Sequence, residues 1–334
     1  MNLQGKKILV IGGAGFIGSH VVDHLLKTNV SQIIIYDNFS RGKYENIEEV
    51  LKDSRVSVFR DGGDILHKET LDQAMKGIDG IFHLAAVWIL QCLEYPELAF
   101  DVNIRGTFNV IQAAMQNKVK RIIFSSSASV YGDALEAPMT EAHPYNNYTF
   151  YGATKIAGEH MLKSLGFQCG FEWVGLRYMN VYGPRQDYKG AYTAVMHRVL
   201  DRIQDQKPPI IHGDGSQTYD FVDVDDVARA NILAMESEVS GQCFNIGRGI
   251  GTTLNELVEL ILTLKKSKFE PIYEGNLLTL VTKRIGCPKQ AEQKLGFKWR
   301  IDLAEGMKRL IEWRESAMIN NKQTHALIAP YLTP

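Results

Sequence analysis

The sequence predicts an α/β protein, a doubly wound parallel sheet followed by a smaller C-terminal α/β region, and three observations predict it. β-rich runs recur through the first half, helical patterns separate them, and the rhythm changes after about Gly183. The runs are KKILVIG, QIIIYD, VSVFRD, GIFHLAA and RIIFSSS, dense in Ile, Val and Phe as strands covered on both faces must be. A sixth strand is expected at EWVGLRYMNVYG. FIGSHVVDHLLK and AFDVNIRGTFNVIQAAM carry apolar residues three or four apart, the spacing of one helix face. Strands alternating with such helices pack as a parallel sheet with helices on both sides. Beyond Gly183 the elements shorten, and Pro and Gly cluster in YGPRQDYKG, QKPPIIHGDGSQ and NIGRGIG. Residues 1–183 are therefore expected to carry the sheet and the chemistry, and 184–334 mainly the substrate, with some elements returning to the sheet. The tail after Arg314 has weak periodicity and is expected to pack loosely or serve an interface.

Composition excludes several classes. A formal net charge of -1 over 334 residues shows no basic excess, so a nucleic-acid partner is not expected. The N-terminal apolar run is short, broken by glycines and lacks a cleavage site, and no segment is long enough to span a bilayer. No membrane association and a cytoplasmic location are the expectations. Cys92, Cys169, Cys243 and Cys287 are scattered without C-x-x-C spacing or paired His, which predicts buried reduced thiols and no metal site.

Gly12, Gly15 and Gly18 form G-x-x-G-x-x-G directly after the first strand and at the start of a helix. Such a turn lets the backbone approach a pyrophosphate, and the helix N-terminus offers it free N–H groups. Alone, the pattern is an ordinary turn. Here the second strand ends in Asp37, nineteen positions beyond Gly18, where an acid meets the adenosine ribose hydroxyls. The register predicts a Rossmann-type dinucleotide site with Gly12, Gly15, Phe16, Ile17, Gly18, Asp37 and Asn38 around the cofactor. A carboxylate there repels a 2'-phosphate and favours NAD over NADP, although Arg41 lies four residues on. Asp64 and Ile65, just past the third strand, are placed for adenine, with a helix cap the plain alternative for Asp64.

Y-x-x-x-K occurs at Tyr151 and Lys155, four apart and so on one helix face. A nearby cation stabilises phenolate and lowers the tyrosine pKa from about 10, giving an acid/base usable near neutrality. The spacing is common by itself. Ser127, at the end of the fifth strand, supports it with a hydroxyl that can orient the same substrate oxygen. Ser125, in the same run, is expected only to cap the strand.

With these residues in place the chain resembles the extended short-chain dehydrogenases/reductases, specifically nucleotide-sugar epimerases and dehydratases of the UDP-glucose 4-epimerase-like kind. The likeness covers nearly the whole chain, through GGAGFIGSH, YDNFSRG, GDI, HLAA, NIRGT, SSSASVYG, YGATKIAGEH, LRYMNVYGPRQ, GDGSQTYDFVDVDDVA, FNIG and LGFKWRIDLAEGMKRLIEW. It implies Ser127, Tyr151 and Lys155 as catalytic residues, with Lys155 also holding the nicotinamide ribose. It implies Leu84, Ala85 and Ala86 along the cofactor, Asn103 supporting the site from a neighbouring helix, and Tyr178 and Asn180 near nicotinamide and substrate. It implies a nucleotide-diphosphate sugar as substrate, a UDP-sugar before other bases, and a role in polysaccharide biosynthesis. It also implies a homodimer through a four-helix bundle of residues about 96–116 and 151–165, where Phe108, Val110, Ile111 and Met115 suit either that interface or the sheet.

Members of the family share a first step in which the tyrosine removes a sugar hydroxyl proton while the C4 hydride passes to NAD+. Dehydratases resembling this chain carry an acidic pair after the strand-end hydroxyl. Here Ala128 and Ser129 stand in those positions, which points to 4-epimerisation, with a 4,6-dehydratase using another base, a 4-ketoreductase, or a non-catalytic NAD sensor as alternatives. The substrate end departs from the family. Tyr219 replaces the arginine usual before Asp-Phe, and a second arginine is missing near Asn276. Arg284 and Lys283 are candidates for the lost charge, Lys283 being equally well a solvated surface lysine. Arg185 is a further diphosphate candidate, and Trp88 a stacking or packing residue.

Overall fold

A computed structural model of the chain describes residues 1–188, 194–275 and 281–328, the last nine of these by helix course alone. Its centre is a seven-stranded parallel sheet. In chain order its elements begin with β1 (Lys7–Ile11), α1 (Phe16–Leu26), β2 (Gln32–Tyr36), β3 (Val56–Val58), α2 (Lys68–Ala74) and β4 (Gly80–His83). There follow α3 (Ile89–Glu94), α4 (Pro96–Ala99), a π-helical stretch over Phe100–Gly106, α5 (Thr107–Gln116), β5 (Arg121–Ser127), α6 (Phe150–Cys169) and β6 (Glu172–Tyr178). The second half holds β7 (Asn180–Tyr182), α7 (Val195–Gln204), β8 (Ile210–His212), β9 (Thr218–Tyr219), β10 (Phe221–Asp223), α8 (Val224–Glu236) and β11 (Gln242–Ile246). It ends with β12 (Thr252–Thr253), α9 (Leu254–Leu264), β13 (Ile272–Glu274), β14 (Lys283–Arg284), α10 (Lys289–Leu295) and α11 (Leu303–Ile328).

The sheet order is β11-β6-β5-β4-β1-β2-β3, so the direction of winding reverses between β1 and β4. Ligands of open α/β sheets bind outside the strand ends at such a reversal. α1 and α8 pack together on one face through Val21, Val22, Leu25, Val227 and Ala230. α2, α5 and α6 cover the other through Leu71, Val110, Ile111 and Leu162. Val110 and Ile111 thus belong to the sheet, while Phe108 is exposed.

The sixth expected strand divides. EWVGLRY stays in the sheet as β6, the chain leaves it at Met179, and NVY pairs with β10 in a separate two-stranded sheet. A later segment, β11, returns to pair in parallel with β6. The second half has its own core, where Met196, Leu200, Leu257, Ile261, Met307 and Leu310 join α7, α9 and α11. Helix α11 runs on into the tail as far as Ile328. The cysteines depart from the expected burial: Cys92 is buried but Cys169 is exposed and the other two intermediate, all four as free thiols. Among the described residues, no helix is long and apolar enough to cross a membrane.

Candidate active site

A cleft of about 810 Å³ lies at the C-terminal ends of the sheet strands and continues onto β7, β9 and the start of α7. Its cofactor end is built from backbone. Gly12 has φ +81°, and a Cβ there would stand 2.8 Å from the Ala85 nitrogen. A Cβ on Gly18 would stand 2.0 Å from the Gly12 carbonyl oxygen, so α1 closes on β1 only with glycine. Gly15, Phe16, Ile17 and Gly18 line the cleft, as do Leu84, Ala85 and Ala86 after the neighbouring strand β4. Asp37 ends β2 in the cleft, its carboxylate accepting from the Ala14 and Phe39 amides at 2.9 Å each. Burial raises its pKa, and those amides oppose the rise. Asn38 lines the wall and accepts from the Ser40 amide. Asp64 and Ile65 line it as well; Asp64 accepts from Leu66 N at 2.9 Å in a local turn, and the residue at the N-cap of α2 is His67, not Asp64. Close glycine turns, open amides and a ribose-facing acid fit a dinucleotide.

α6 carries the Tyr151 and Lys155 pair. Thr149 caps it by accepting from Gly152 N at 3.0 Å, and Gly158 lets the helix settle on Phe124 of β5, where a Cβ would meet the ring at 2.4 Å. One face then presents Tyr151, Lys155 and Glu159 toward the ends of β5 and β6. Tyr151 is within hydrogen-bonding reach of the Ser127 side chain, and the Ser127 oxygen accepts from Ser129 N at 3.1 Å. Lys155 donates to the Ser125 carbonyl oxygen at 2.7 Å, its Nζ lying 5.6 Å from the centre of the Tyr151 ring. Ser125 therefore holds the lysine through its carbonyl rather than merely capping the strand.

The electrostatics correct the expectation of a lowered tyrosine pKa. Burial pushes Tyr151 up to about 12, with Cys92 adding to the rise and Ser127 and Arg284 opposing it. Burial likewise lowers Lys155 to about 8. Desolvation of the buried phenol thus outweighs the Ser127 hydroxyl and the Arg284 charge. Below this pair, Glu159 meets Arg177 through two bonds of 2.9 and 2.7 Å and accepts from Ser126, all buried. That bidentate pair ties α6 to β5 and β6.

Asn103 does not line the cleft. Its side chain grips both backbone groups of Val87, at 2.7 and 2.9 Å, and reaches Thr154 of α6 at 3.2 Å. It positions the loop after β4 instead of touching the cofactor. Tyr178 lines the cleft and donates to Asn231 at 3.0 Å.

The substrate end is built from side chains of distant segments. Asn180 lines it, with its amide nitrogen 3.3 Å from the Asp220 carbonyl oxygen. Arg185, at φ +67°, is paired with Asp23 of α1 at 2.7 Å, which takes the charge the diphosphate was expected to use. Trp88 lines the cleft with Arg41 stacked over its ring at 4.8 Å, and Arg41 and Lys43 both pair with Asp187. Arg41 thus covers one face of the Trp88 ring. Tyr219 and Arg284 sit opposite each other in the parallel β9–β14 pair and both line the cleft. Lys283 is exposed and does not reach it; Asn276 lies outside the described residues. Arg198, absent from the sequence candidates, lines the cleft from the first turns of α7. Its sequence signal was one arginine on the polar side of an amphipathic helix.

Residues 8–247 match the NAD dependent epimerase/dehydratase family. A putative UDP-glucose 4-epimerase of Methanocaldococcus jannaschii is 38% identical over 95% of this chain and all of its own length. A UDP-N-acetyl-alpha-D-glucosaminuronate decarboxylase of Bacillus cytotoxicus is 32% identical over 92% of this chain and 97% of its own. The solved UDP-N-acetylglucosamine 4-epimerase of Methanobrevibacter ruminantium, in complex with UDP-N-acetylmuramic acid, superposes with a TM-score of 0.88 at 32% identity, covering 94% of this chain and 99% of that one. With the glycine turn, Asp37 and the Ser127–Tyr151–Lys155 cluster in one cleft, the chain belongs to the NAD-dependent epimerase/dehydratase family.

Proposed function

We propose that the protein is an NAD-dependent nucleotide-sugar 4-epimerase, with a UDP-sugar as substrate. One observation carries the choice of reaction. Among the described residues the carboxylates lining the cleft are Asp37, Asp64 and Asp187, and Ala128 and Ser129 follow Ser127. Asp37 and Asp64 belong to the cofactor end and Asp187 is engaged by Arg41 and Lys43, so no acid is placed to take a C5 proton. Relatives named as UDP-sugar epimerases support the base.

NAD+ bound in the cleft supplies a reversible two-electron acceptor. Tyr151 removes the proton of the sugar hydroxyl and returns one after the sugar has turned, so no base beyond it is needed. Ser127 holds the same oxygen. Lys155 keeps a positive charge near the phenol, which favours phenolate against the desolvation that raises its pKa. The first turn of α7 and Arg198 take the diphosphate, offering N–H groups and a guanidinium. Incubation with UDP-glucose, UDP-N-acetylglucosamine and UDP-glucuronate, resolved by anion exchange, should show the C4 epimer of at least one. A 4-keto-6-deoxy product carrying solvent deuterium at C5 would overturn the reading.

The same reading includes a homodimer through α5 and α6. Leu93, Leu98, Phe100, Phe108 and Phe150 are large apolar side chains left exposed on and beside those helices. Light scattering at micromolar concentration should give twice the chain mass.

A further inference from the structure

Arg284 is a buried guanidinium at the substrate end with no carboxylate within ion-pair distance among the described residues. Its Nε is buried without a hydrogen-bond partner, and the bond from its Nη2 to the Gly132 carbonyl oxygen is 3.5 Å long. A bond at that limit is a poor structural pin. Asp133, the acid that acts on it, spends its oxygens on Thr282 and on the Lys283 amide. A cation taken out of water in this way lacks the partner that burial demands.

The position of the charge says what that partner is. Other cations of the cleft are committed or shallow: Arg185 to Asp23, Arg41 and Lys43 to Asp187, Lys155 to Ser125, and Arg198 exposed on α7. Arg284 instead lies beside Tyr219, close enough to the catalytic phenol for each to act on the other's ionisation. We propose that Arg284 recognises a carboxylate carried by the sugar itself, so that nucleotide-diphosphate uronates and related acidic sugars are the preferred substrate class. The inference rests on the reading of the cleft as a nucleotide-sugar site, with the diphosphate held at α7.

Titration calorimetry of the NAD-loaded protein with UDP, UDP-glucose and UDP-glucuronate tests it. UDP-glucuronate should bind about ten- to a hundredfold more tightly than UDP-glucose, the range of one charge-assisted contact in a desolvated site. Arg284→Gln should close that gap while UDP alone keeps its affinity. Loss of UDP affinity equal to the loss of uronate affinity, with the thermal melt unchanged, would reassign Arg284 to the diphosphate and overturn the proposal. So would equal binding of the two sugars by the unaltered protein, a comparison that requires no variant to fold. A uronate gap without C4 inversion of any sugar would retain Arg284's role and sink the epimerase reading, whereas inversion without a gap does the reverse.

Discussion

The two ends of the cleft recognise their ligands by different means. The cofactor end is made of main chain, with glycines at 12 and 18 packed so closely that added methyl groups would collide, and one carboxylate set by backbone amides. The substrate end is made of side chains drawn from β7, β9, α7 and β14, and several of its charges are engaged with one another. A main-chain site constrains residue type at fixed spacing and leaves little to exchange. A side-chain site instead brings Tyr219 and Arg284, from segments far apart in the chain, opposite each other across a strand pair.

Four substitutions would break or sharpen that contrast. Tyr151→Phe should lower turnover by about a thousandfold or more while NAD stays bound, because it removes the proton carrier from a site whose walls are intact. Residual activity near that of the unaltered protein would dissolve the assignment. Gly18→Ala places its methyl 2.0 Å from the Gly12 oxygen, so backbone must shift. A loss of about 3 kcal/mol in denaturant unfolding is expected, together with weaker NAD binding. An unchanged midpoint would show that the main-chain wall yields more easily than its packing implies. Asp37→Asn should weaken NAD about tenfold and reduce the discrimination against NADP, read by calorimetry with each cofactor. Equal discrimination would move that role to another residue.

The smallest effect concerns stability. Burial lowers Lys155 to about 8 from 10.5, so the folded state carries a penalty for the charged lysine that is fully present below pH 8 and fades as pH rises toward 10.5. Lys155→Met should therefore raise stability at pH 7 by about 1 kcal/mol after the lost bond to Ser125 is set against the gain, and abolish turnover. Melting curves at pH 7 and pH 10 test the sign: a gain that grows with pH contradicts it.

Legibility in the sequence followed the same division. β1 to β5 were visible because strands covered on both faces must be apolar throughout, and the glycine turn because its register is local. The break at Met179 was hidden inside one continuous apolar run, EWVGLRYMNVYG. β11 was hidden because QCFNI is short and pairs with a strand some seventy positions earlier. Arg185 looked available because its partner, Asp23, lies 162 residues away. Tyr219 and Arg284 were both candidates, but only the β9–β14 pairing makes them neighbours. Tyr151 showed its spacing to Lys155, whereas the desolvation that governs its pKa depends on packing that spacing does not encode.

The return of β11 to β6 also bears on how the chain is made. During synthesis the first six strands emerge together, yet β6 keeps a bare edge until Gln242–Ile246 leave the ribosome. Unpaired strand edges recruit other chains. A gene fragment cut at the rhythm change near Gly183 would thus yield a product prone to aggregate, although the glycine turn and the Ser127, Tyr151 and Lys155 cluster lie wholly within it.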